Sequence, residues 1–214
     1  MGDSRHHGLD AARALAMMLV VVTHAAISFM VTPIGWAIQD QYQHLGVDLY
    51  VWTIRAFAMP LFFWLSGYFS RAVFEHAGVG GFVRHRATRV LLPLAVAIVP
   101  CSLALDALWD WGREVAHRGE VAASIPKLQG SGLPLTLGHL WYLYYLLVFS
   151  AVAIAVVWIA RRLRAPALGG LAILAVAAAM STGVLAALGT LATDTPLQFQ
   201  IDVPIAIYMG AFFT

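Results

Sequence analysis

The chain has 214 residues, of which 61% are hydrophobic and only 11% charged, with a formal net charge of +2. A soluble domain carries about a quarter charged residues, so this composition excludes a disordered protein, a nucleic-acid binder and an ordinary cytosolic enzyme. The single cysteine, Cys101, lies in an apolar run and excludes a disulfide framework and a thiol-held metal cluster.

What remains is an integral membrane protein. A bilayer core of about 30 Å needs roughly 20 mostly apolar residues in helix. Five stretches meet or nearly meet that length: Ala14–Val31, Val47–Phe69, Val90–Leu108, Leu140–Ile159 and Ala167–Leu191. The first is preceded by Arg5, but its apolar run is too long for a signal peptide and four more follow, so it reads as an anchor. Hydrophilic stretches separate them: an outer loop near Thr32–Gly46, an inner loop near Ser70–Arg89, and an outer loop near Trp109–Gly138 with Pro126, Gly130, Gly132 and Pro134. Ile201–Thr214 covers only about 21 Å as a helix and reads as part of a sixth span.

Orientation follows from the basic residues. With the N-terminus in the cytoplasm, Arg5, Arg71, Arg84, Arg86, Arg89, Arg161, Arg162 and Arg164 fall inside, against Arg113, Arg118 and Lys127 outside. Trp36, Tyr50, Trp52, Trp109, Trp111, Trp141 and Tyr142 gather at the outer ends, where aromatic rings favour the headgroup level. The expected fold is an all-α polytopic transmembrane bundle of five full spans and part of a sixth, one membrane domain over residues 1–214.

Ionisable groups at membrane depth are costly and mark function by default. Arg13 and His24 are eleven residues apart, about three helical turns, so they share one face of the first helix some 16 Å apart. Arg13 reads either as a snorkelling anchor beside Asp10 or as a site residue. His24 reads either as a packing histidine or as a general base, the neutral imidazole being suited to take a hydroxyl proton near neutral pH. Arg55 lies deeper in its span, and faces either a partner helix or an anionic ligand. Arg86 and Arg89 are three apart and form one cationic face on a regular helix, fit for anionic lipid or for a phosphorylated donor. Pro60, Pro93 and Pro100 interrupt spans where a kink or cavity is tolerated. His139, beside Trp141, reads as an interfacial cap or as lining for an outer site. No metal-ligand spacing is present around these residues.

Four motifs then converge. Asp10-Ala11-Ala12-Arg13-Ala14-Leu15-Ala16 followed by His24 resembles the arginine–ten residues–histidine signature of the acyltransferase-3 family of membrane O-acyltransferases. Met59-Pro60-Leu61-Phe62-Phe63-Trp64-Leu65-Ser66-Gly67-Tyr68-Phe69 resembles its second-span motif, and Arg86-Ala87-Thr88-Arg89-Val90-Leu91-Leu92-Pro93 its arginine–two residues–arginine motif. Gly138-His139-Leu140-Trp141-Tyr142-Leu143 is similar to the fourth-span motif of the branch that succinylates osmoregulated periplasmic glucans.

The resemblance implies transfer of a succinyl or acetyl group from cytoplasmic acyl-CoA, a consumed co-substrate, to a hydroxyl of an extracytoplasmic glycan or lipid-linked sugar. No tightly bound cofactor is implied, and the place is the inner membrane. His24 and Arg13 would be catalytic, Arg86 and Arg89 would serve the donor, and Arg55 and His139 are supporting candidates. Family members carry more spans than this chain supplies, which implies that residues 1–214 are the N-terminal part of a longer enzyme. Ala58 stands where the family often has histidine or arginine, and Arg55, one turn earlier, is its candidate substitute. A transporter or flippase, and a non-catalytic membrane subunit, are the alternatives.

Overall fold

The computed structural model describes residues 7–32, 34, 36, 38–115, 135–164, 170–189 and 199–213. Among them every regular element is helical: α1 (His7–Ala26), α2 (Leu45–Arg86), α3 (Leu92–Val115), α4 (Trp141–Leu163), α5 (Gly170–Leu188) and α6 (Val203–Phe213). Three helical stretches are long and apolar enough to cross a membrane: Gly8–Phe29, Leu45–Gly112 and Gly138–Leu163. Ala172–Leu188 and Val203–Phe213 are apolar but shorter. In lipid such elements satisfy their own backbone polar groups, which is why an apolar sequence of this kind is helical.

The stretch Leu45–Gly112 joins two of the expected spans and doubles back on itself. Gly78 adopts φ 62 and ψ −172 inside α2, a conformation open to glycine because it has no Cβ. On either side of it Phe74 meets Phe82 with ring centroids 5.9 Å apart, and Arg86 reaches back to Ser70. The expected inner loop over Ser70–Arg89 is therefore helical up to a one-residue reversal. Pro60 sits within α2 without breaking it, and the non-helical backbone is at Gly78.

Successive legs run up and down between two ends. At one end lie Arg13, over the Phe69 ring at 5.5 Å, the Gly78 reversal, and Arg161, over the Phe74 ring at 5.9 Å. At the other lie His24, Trp36, the start of α2, Trp109 and His139. Between lipid-solvated helices the hydrophobic effect gives little, so close packing and hydrogen bonds must hold the legs together. Phe63, Trp141, Tyr145, Phe149 and Phe213 form the aromatic centre of that packing. Gly67 lets α6 approach α2: a Cβ there would run into the Phe213 carbonyl oxygen. The expected outer loop before Gly138 falls mostly outside the described residues, as do Arg5, Arg118 and Lys127.

Candidate active site

The first site residue is positioned by its own helix. His24 Nδ1 is 2.7 Å from the Val20 carbonyl oxygen, one turn earlier. A carbonyl can only accept, so Nδ1 carries the proton. In the neutral ring Nε2 is then the unprotonated nitrogen, the form a general base requires.

Three segments from elsewhere in the chain bring rings to His24. His139 lies with its ring centroid 4.9 Å away, and Trp36 with its centroid 5.9 Å away. Trp109 meets Trp36 edge to face at 5.2 Å, a favourable aromatic geometry. Hydrogen bonds to the backbone anchor these segments. The turn after α1, which leads to Trp36, is tied down by the buried Asp48 carboxylate, which accepts from the backbone N–H groups of Val31 at 2.8 Å and Thr32 at 2.9 Å. Tyr50 donates to the Leu19 carbonyl at 3.2 Å, joining α2 to α1 just below. The approach to His139 is pinned to α3: Ser102 donates to the Thr136 carbonyl at 2.9 Å and accepts from the Thr136 N–H at 3.1 Å. Gly138 then takes φ 43, and a Cβ there would lie 2.7 Å from Leu105 Cδ2. His139 is exposed, and His24, Trp36 and Trp109 are half-buried, so the cluster is reachable from outside.

The second group lies toward the other end and is built from side chains. Arg86 Nη2 donates to Ser70 Oγ, Ser70 donates to the Ser66 carbonyl, and Ser66 Oγ shares a hydrogen bond with the Tyr142 hydroxyl. Tyr142 also donates to the Phe62 carbonyl at 3.2 Å. Arg86 lies over the Phe82 ring at 5.0 Å, and its Nε is buried without a partner among the described residues. Arg13 and Arg86 both lie within electrostatic reach of the Tyr142 hydroxyl. Arg13 is exposed and is not paired with Asp10. Arg86, a cation with a buried unmet donor and no carboxylate in this chain of contacts, can hold an anion.

The remaining candidates divide. Arg89 is exposed, whereas Arg86 turns inward. The single cationic face expected of them is broken by a π-turn over Ala87–Leu91, which widens the helix and moves residues three apart onto different sides. Arg55 is half-buried and lies over the Trp52 ring at 5.4 Å. Asp48, Ser66 and Ser70 had no role assigned from sequence, and Tyr142 read only as one of the aromatic rings at the outer ends. Ser66 and Tyr142 stood within quoted motifs, and that was the available signal.

The acyltransferase-3 model, described as an acyltransferase domain, matches residues 6–213. The chain belongs to this family. It is also similar to proteins named Glucans biosynthesis protein C from Salmonella paratyphi B (strain ATCC BAA-1250 / SPB7), Salmonella heidelberg (strain SL476) and Salmonella agona (strain SL483). Each is 28% identical over 159 residues, which is 74% of this chain and 41% of the relative. The match thus spans well under half the length of those relatives. No solved structure matches the chain. Arg13, His24, Arg86 and His139 of this family member all fall in the two groups just described.

Proposed function

We propose that the chain is a single membrane domain of an inner-membrane O-acyltransferase, with its N-terminus in the cytoplasm and five spans plus part of a sixth. It moves a succinyl or acetyl group from acyl-CoA to a hydroxyl of an extracytoplasmic glycan or lipid-linked sugar. The observation that carries this reading is the fixed tautomer of His24 in a member of an acyltransferase family. Its Nε2 takes the proton of the acceptor hydroxyl as that oxygen attacks the thioester carbonyl. The carbon–sulfur bond breaks, and the leaving thiolate of coenzyme A takes that proton from the His24 imidazolium, so the thiol departs and the base is regenerated. Arg86 and Arg13 hold the anionic donor from the cytoplasmic side, with Arg89 at the rim of that side. His139, ring to ring with His24, supports it directly, and Arg55 supports from α2 beside Trp52. The names of the Salmonella relatives point to a glucan as the acceptor class.

Labelled acyl transfer tests the reading. The protein is expressed in membranes lacking related activity, and succinyl-CoA and acetyl-CoA are supplied in parallel with envelope glycans. Wild type is expected to transfer label, and His24→Ala, at matched protein level, to lose at least about a hundredfold of the rate, the usual contribution of a general base. Equal activity in both proteins would remove His24 from the chemistry. Absence of transfer from both donors would overturn the enzyme in favour of a flippase or a non-catalytic subunit.

A further inference from the structure

Trp109 presents a buried indole N–H with no hydrogen-bond partner among the described residues. Such a group is costly in an apolar surrounding, and interfacial tryptophans ordinarily keep that N–H in contact with water or headgroups. Here the ring is held instead against Trp36, which faces His24, which faces His139. The four rings come from four separate parts of the chain, with the turn leading to Trp36 tied to Asp48 and the approach to His139 tied to α3, so the arrangement is set before any ligand arrives. An indole face is flat, apolar and electron-rich, and matches the C–H face of a pyranose ring. An indole N–H matches a sugar hydroxyl or ring oxygen.

We infer that Trp36, Trp109 and His139 form the acceptor subsite, a saccharide-binding chamber that lays one sugar ring against Trp36 and brings its hydroxyl to His24. Trp109 donates to an oxygen of that sugar through Nε1. His139 closes the side opposite Trp36. This inference rests on the acyltransferase reading for its purpose, but the binding itself does not require the transfer step. A lipid chain is a poor occupant, because it offers no acceptor for the Trp109 N–H.

The test uses the whole chain, purified in detergent and titrated with a short linear glucose oligosaccharide while tryptophan emission is followed. Trp158, exposed on α4, is the control position. Wild type and Trp158→Phe are expected to bind alike. Trp109→Phe, which keeps an aromatic ring but loses the indole N–H together with the pyrrole half of the ring, is expected to bind at least about threefold more weakly, the lower range for one neutral hydrogen bond. Trp36→Ala is expected to lose more. Elution identical to wild type shows that Trp109→Phe is folded, and in the transfer assay its KM for the oligosaccharide rises. Absence of binding, or equal binding by wild type, Trp109→Phe and Trp36→Ala, overturns the inference. Binding that follows this pattern in a protein that transfers no acyl group upholds the chamber and overturns the enzymatic reading alone.

Discussion

The two ends of the bundle solve the same problem by different means. At the histidine end, ring side chains are placed by backbone anchors: Asp48 on two N–H groups, Ser102 on Thr136, and the left-handed turn at Gly138. At the arginine end, side chains hold one another, from Arg86 through Ser70 and Ser66 to Tyr142. Helix α1 serves both groups, with Arg13 and His24, and at the start of α4 the two groups come close, Tyr142 lying one turn beyond His139. The lesson concerns how a site fails. A backbone-built site fails when a supporting residue moves it, and a side-chain-built site fails when any one member is removed.

That contrast can be broken by experiment. The largest effect, loss of transfer in His24→Ala, tests the chemistry and not the scaffold. Next comes the arginine end. Arg86→Met keeps the packing over Phe82 and removes a partly buried charge with its bond to Ser70, and is expected to raise the donor KM about tenfold or more. Arg89→Met, at an exposed position, is expected to stay within about threefold. Equal effects of the two would restore a shared cationic face.

Gly138→Ala probes the histidine end without touching a reacting group. It forces a side chain into a positive φ and against Leu105, and is expected to cost about 1 kcal/mol or more of stability and to lower the transfer rate several-fold. Thermal unfolding alongside the rate assay checks both. Tyr142→Phe is the mildest change. It keeps the ring against Phe63 and loses the hydroxyl between Ser66 and Phe62, and is expected to reduce transfer by about two- to tenfold with little loss of stability. An effect of Tyr142→Phe as large as that of Arg86→Met would mean that the hydroxyl itself takes part in the chemistry.

Much of this was legible in the sequence. Helical spacing alone put Arg13 and His24 on one face, because three turns separate them, and the apolar runs located the legs. The reversal at Gly78 was less legible: the charged stretch around it reads as a loop, and only the backbone conformation shows helix on both sides. The divergence of Arg86 and Arg89 was hidden for a similar reason, since spacing arguments assume regular helix and a π-turn breaks that assumption. The meeting of His24 with His139, Trp36 and Trp109 depends on contacts between distant parts of the chain, which no local period encodes. These tryptophans read as members of an aromatic belt until their partners were placed. Asp48 was overlooked because a carboxylate near a span end looks like a surface residue, and its two backbone donors lie on another segment.

The bond from His24 to Val20 carries one more consequence. Its acceptor is a main-chain oxygen, so it is indifferent to whichever side chain occupies position 20. Exchanging Val20 for another helix-compatible residue leaves the ring's proton where it is. The protonation pattern of the imidazole is thus inherited from the helix itself, and it travels with His24 wherever a helical turn precedes it.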